Sequence, residues 1–144
     1  MITLQTYKHT VLIAPITKTS TSTATANLDC KGAKTALITV AIGARVNTNG
    51  SSPKTIKLGE SDDTVVTNFA DISGATCNAT LTAGQSVGFY VDLTKRKRYL
   101  RLTFTPETTT NDDQIVYADA YLGRREINPA STSDFGTDVV KMVV

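Results

Sequence analysis

The sequence predicts an all-β protein, an antiparallel β-sandwich or jelly-roll-like barrel with extended termini. Three observations carry that reading. Apolar and polar residues alternate with a period of two through most of the chain, and helical periodicity is hard to find. Threonine, whose branched side chain suits a pleated surface, is heavily used. Clusters of Asn, Asp, Gly and Pro punctuate short apolar segments, as in a sandwich rather than a βαβ fold.

The elements follow in order. In "TALITVAIGA" (35–44), Ala36, Ile38, Val40 and Ile42 share one face, and Leu37, Thr39 and Ala41 the other. The near absence of charge on either face marks a central strand covered on both sides. "KTIKLGE" (54–60) turns Ile56 and Leu58 inward, and "TVVTNFADI" (64–72) reads as a shorter, less regular strand. "SVGFYVDL" (86–93) offers Val87, Phe89, Val91 and Leu93 to one side. From residue 98 on, Leu100, Leu102 and Phe104 alternate with Tyr99, Arg101 and Thr103 in a half-buried strand. "QIVYADAYLG" (114–123) sets Ile115, Tyr117, Asp119 and Tyr121 against Val116, Ala118, Ala120 and Leu122. Turns are expected at "NTNGSSP" (47–53), "ESDD" (60–63), "TAGQ" (82–85) and "PETTTNDD" (106–113).

At 144 residues the chain is the size of one ordinary domain, read as a single β domain over 1–144. Its first part, 1–27, holds a possible N-terminal strand and a Ser/Thr-rich arm, "TKTSTSTATAN" being of low complexity. Its last part, 128–144, is an extension ending in Val139, Val140, Met142, Val143 and Val144. Such an apolar tail either adds a strand to its own sheet or docks on another subunit. No apolar run is long enough to span a membrane as a helix. "MITLQTYKHT" lacks the basic start and apolar core of a signal peptide and reads as mature protein.

Fifteen basic residues against thirteen acidic ones give a net charge of only +2, which argues weakly against a dedicated nucleic-acid domain. Charge is dense at one place, "KRKR" (95–98), followed by Arg101. The run is expected to occupy a tight hairpin connection as a solvated or subunit-facing feature, part-neutralised by "ESDD" or "TNDD" where those loops lie near. Only Tyr99 and Tyr90 are at hand for base stacking, which also argues against nucleic acid. Arg124 and Arg125 close the last strand of the alternating set in the same manner.

Catalytic chemistry finds little support, so no enzyme, no cofactor and no metal are expected. His9 is the single histidine and stands in no nucleophile motif. "ESDD" gathers Glu60, Asp62 and Asp63 without the spacing of a calcium loop, and "GQSVG" misplaces its serine for a nucleophile elbow. Cys30 and Cys77 are read as free thiols rather than a disulfide.

The order of "KLGESDD", "FADI", "KRYLR" and "YLGRR" resembles a group of small tailed-phage and prophage proteins, the capsid cement or head decoration proteins. The likeness spans about the central two-thirds of the chain and rests on short structural motifs; the Ser/Thr-rich N-terminal segment and the apolar tail depart from it. It implies a virion protein, made in the host cytoplasm, that binds the major capsid protein on the outside of a head. A homo-oligomer is expected, a trimer ahead of a dimer, with no membrane and no nucleic-acid partner. The residues expected to carry protein contacts are Arg96, Arg98, Arg124 and Arg125 and the apolar tail. The rival reading is a sandwich from a tail or adhesion apparatus that binds glycans or another virion protein.

Overall fold

A computed structural model describes residues 7–19, 22–45, 55–106, 113–124 and 139–143. Nine strands are present among them: β1 (Tyr7–Lys18), β2 (Ala24–Asp29), β3 (Thr35–Arg45), β4 (Thr55–Ser61), β5 (Ala70–Cys77), β6 (Ser86–Asp92), β7 (Tyr99–Thr105), β8 (Gln114–Gly123) and β9 (Val139–Val143). They form a five-stranded sheet in the order β1-β8-β3-β6-β9 and a four-stranded sheet in the order β2-β7-β4-β5. The two sheets enclose a single apolar cluster, so the molecule is an open sandwich and not a closed barrel. Every described pairing is antiparallel except β6 with β9.

Alternation places the core as expected. Ala36, Ile38, Val40 and Ile42 of β3 face inward with Val87, Phe89 and Val91 of β6 and Val116, Ala118, Ala120 and Leu122 of β8. The opposing layer supplies Ile56, Leu58, Leu100, Leu102 and Phe104. Removing a side chain such as Phe89 or Phe104 from such a core costs about 3–5 kcal/mol.

Three local expectations are corrected, and one left open is decided. Residues 64–72 are not one strand: a 3-10 turn at Val66–Asn68 precedes β5, which runs on to Cys77. Asp63 builds that turn, accepting the Val65 N–H at 2.9 Å and the Asn68 amide at 2.8 Å, and these bonds draw its pKa down, Asn68 foremost. The basic run is not a hairpin, because β6 and β7 belong to different sheets and the connection crosses the sandwich. The Ser/Thr-rich stretch is not an arm throughout: Ser22 N–H donates to the Thr19 carbonyl at 3.0 Å in a turn, and β2 then pairs along β7. The apolar tail takes up the first of its two options, lying parallel to β6 with Val143 1% exposed in the core and Val139 packed against it. The expected turn at 47–53 and most of that at 106–113 lie outside the described residues.

Cys30 and Cys77 are both buried and free. Cys30 follows one edge strand of the four-stranded sheet and Cys77 ends the other, at opposite ends of the sheet, so the lateral spacing of roughly 14 Å for three strands is a lower bound and already beyond disulfide reach.

Candidate functional site

The sandwich gathers charge at one end. Here β1 begins, β8 finishes, and the β2–β3 turn meets the β6–β7 crossing: Cys30 N–H donates to the Arg98 carbonyl, Lys34 N–H to the Gly123 carbonyl and Leu93 N–H to the Lys34 carbonyl. Lys8, Lys31, Lys34, Lys95, Arg96, Lys97, Arg98 and Arg124 all belong to this end, with Asp29, Glu60, Asp62, Asp63 and Asp92. Among the described residues, these eight cations against five carboxylates leave an excess of three, larger than the net +2 of the whole chain.

Most of the crossing's polar groups are paired. Asp92 accepts the Thr94 N–H at 2.9 Å and the Thr94 hydroxyl at 2.7 Å, which starts the 3-10 turn Leu93–Lys95 and holds the Asp92 carboxyl below its ordinary pKa. Leu93 is buried and anchors the turn in the core. Arg96 lies 3.5 Å from Glu60, both side chains less than a fifth exposed, and Glu60 also accepts the Lys97 N–H at 3.1 Å. Lys97 reaches Asp62 at 3.5 Å. Arg98 grips Asp29 with two hydrogen bonds, at 3.0 and 2.7 Å, and stacks on Tyr99. That guanidinium, helped by the Lys31 N–H, pulls the Asp29 pKa down to about 2.

Arg101 extends the network across the outer face of the four-stranded sheet. It donates to Asn27 at 2.8 Å and to the Val66 carbonyl at 3.2 Å, and it lies over the Phe69 ring at 4.2 Å. Gly59 is its partner on β4, and a Cβ there would meet the Ala70 carbonyl at 3.1 Å and Phe69 at 3.7 Å. The missing side chain lets the 62–69 loop fold down under the guanidinium.

Beside this network is a cleft of about 260 Å³ lined by Tyr7, Lys8, Lys31, Gly32, Leu122 and Arg124, among others. Gly32, at φ +78°, makes the β2–β3 turn, in which Ala33 N–H donates to the Cys30 carbonyl at 3.0 Å. Gly123 lets the Tyr7 ring approach: a Cβ there would lie 3.3 Å from that ring and 2.5 Å from the Thr35 hydroxyl. Among the described residues, no carboxylate lies within ion-pair distance of Lys8, Lys31 or Arg124.

The outer face of the five-stranded sheet is a third feature. Tyr7, Tyr90, Tyr117 and Tyr121, four of the five tyrosines, lie on it by register, with His9 and Asp119. Asp119 is 8% exposed and sits 3.2 Å from His9 Nε2, and the Tyr117 hydroxyl donates to it at 3.4 Å. Burial, and then the Asp119 charge, pushes the Tyr117 pKa up. The His9 ring lies 4.7 Å from that of Tyr121. The His–Asp pair thus meets tyrosines rather than a serine or thiol nucleophile among the described residues.

Of the residues expected to make contacts, Arg96 and Arg98 are engaged in ion pairs within the chain, while Arg124 lines the cleft. Arg125 and Val144 lie outside the described residues, as do the side chains of Val140 and Met142; Val139 and Val143 face the core. Lys8 and Lys31 were not singled out by sequence reasoning, because each is a lone cation in its own segment. The Lys-Gly turn was their one legible signal. No protein-family model matches the chain, and no curated protein matches it.

Proposed function

We propose that this protein is a structural virion component, a cement or decoration protein that binds the outside of a tailed-phage head and reinforces contacts between its capsid subunits. Its partner in that reading is the major capsid protein, and it works as a homo-oligomer, a trimer ahead of a dimer, without catalysis. The motif order "KLGESDD", "FADI", "KRYLR", "YLGRR" suggests the family. One structural observation carries the mode of attachment: β1, twelve residues long, ends the five-stranded sheet and is paired on one side alone among the described strands. Pro15 and two register shifts blunt its second half, as natural edges are blunted, but Tyr7–Val11 runs in regular register with its other edge open.

A strand of a neighbouring chain laid there gains main-chain hydrogen bonds. Alongside it an apolar cleft of about 290 Å³, lined by Leu12, Ile13, Pro15, Ile16 and Ala24 among others, lies between the β1 and β2 edges. Ile16 of this cleft is 44% exposed, and Val11 of the open edge is 49% exposed on the outer sheet face. Many such contacts repeated around a shell act as one multivalent clamp.

The test is occupancy on heads. Virions from the source genome, purified on a density gradient, should carry the protein at high copy. Heads assembled with the V11K/I16K variant should lose most of it while the variant keeps its native circular dichroism. Absence from purified heads, or full occupancy by the variant, refutes the reading. A second reading, a glycan-binding adhesion module, is favoured by the exposed Tyr7 and Tyr121 on one sheet face, since aromatic faces stack on sugar rings. Glycan-array binding removed by Tyr121→Ala, together with empty heads, would select it.

A further inference from the structure

We infer that the cleft between Tyr7, Lys8, Lys31 and Arg124 is a binding site for a compact polyanion, a small molecule carrying two or more phosphate, sulfate or carboxylate groups. Each described carboxylate of this end has a partner of its own: Asp29 has Arg98, Glu60 has Arg96 and the Lys97 N–H, Asp62 has Lys97, Asp63 has Asn68 and the Val65 N–H, and Asp92 has Thr94. Among the described residues, Lys8, Lys31 and Arg124 have no carboxylate within ion-pair distance, Asp29 acting on Lys31 only at longer range, so they carry much of the end's excess positive charge.

Those three cations come from β1, the β2–β3 turn and the end of β8, and all three border one concavity. A concave, cation-lined wall focuses field on an anion far better than the same charges on a convex surface. The volume of about 260 Å³ exceeds that of a single oxyanion, so a ligand with two or three anionic groups fills it and meets all three cations. Arg124 can grip one group through two parallel hydrogen bonds, and the lysines contribute point charges to the others. Leu122 and the Tyr7 ring supply an apolar wall that excludes water from one side.

This inference does not rest on the cement reading: it concerns a small ligand held by side chains, and although Tyr7 and Lys8 also belong to the open edge of β1, its cleft is separate from the apolar one. Isothermal titration of the full chain with pyrophosphate and with citrate, and with acetate as the monoanion control, tests it. Saturable one-to-one binding is expected for at least one polyanion, weakening as salt is raised. Whichever of the two binds more tightly identifies the preferred oxyanion. Lys8→Gln, Lys31→Gln and Arg124→Gln should each weaken binding by about tenfold or more, as loss of a charged hydrogen bond does. Lys95→Gln, an exposed cation of the neighbouring crossing, should change it less than about twofold, within the small range of surface charge effects. Polyanions that bind no tighter than acetate overturn the proposal, as does a Lys95→Gln loss equal to that of Lys8→Gln, which would mark a diffuse charge effect. All three substituted side chains are exposed, so each variant is expected to fold as the parent does.

Discussion

Two basic regions stand side by side at one end of this sandwich, and they differ in almost every physical respect. The crossing after β6 is contiguous in sequence, and three of its four cations lie against carboxylates from β2, β4 and the loop that follows β4. The cleft is built from three separated segments, and its cations face an open concavity. Linear charge density points to the first; electrostatic availability belongs to the second. A run of Lys and Arg is thus a poor guide to a binding surface wherever the fold brings acids to meet it.

The sharpest contrast is in stability. Glu60→Ala should cost roughly 2 kcal/mol, because it strips a partly buried Arg96 of its counter-charge and the Lys97 N–H of its acceptor. For a chain of this size that is a fall of about 4–8 °C in Tm by calorimetry. Lys8→Ala or Lys31→Ala should change stability by no more than about 0.5 kcal/mol. Equal losses on both sides would erase the distinction between the regions.

Acid provides a second separation. The Asp29 pKa is lowered from 3.8 to about 2 by Arg98, so its folded-state carboxylate is the more acidic one. Its contribution is fully present above pH 4 and is lost as the pH falls through 2. Asp63 and Asp92 are lowered too and act in the same direction. Denaturant melts taken from pH 5 to pH 2 should show declining stability, and Asp29→Asn should flatten part of that decline. An unchanged slope in the variant would show that the Asp29–Arg98 pair contributes nothing in solution.

The smallest effect concerns Cys30, which sits between the two regions. Burial pushes its thiol up to about 12, so at pH 8 the reactive thiolate is on the order of one part in ten thousand. Iodoacetamide should leave the native protein unlabelled over the time in which the unfolded chain takes up label at both cysteines, as read by mass spectrometry. Rapid native labelling would mean that the β2–β3 corner opens readily.

The strands were legible because alternation is a local signal: β3, β4, β6, β7 and β8 each follow from their own residues, and so does the side of each that faces the core. Pairing partners were not legible in that way. The crossing reads as a hairpin because "DLTKRKRYL" has the length of one, yet a sandwich can use the same length to pass from one sheet to the other. The strand in 24–29 was hidden by its Thr and Ala content, and it exists because β7 offers it an edge to pair with. The tail's apolar residues were evident, but their destination beside β6 depended on a partner 52 residues away, Val139 on Val87.

Sequence alone determined that this chain folds as β-structure, which residues turn inward, and that its charge is uneven along its length. Tertiary structure alone decided which of those charges meet a partner. Ion pairing depends on separations of a few ångströms between residues such as Arg98 and Asp29, sixty-nine positions apart, and only the stacking of two sheets sets those separations. For the same reason Lys8, Lys31 and Arg124, unremarkable one at a time along the chain, become one site when β1, β3 and β8 come into register.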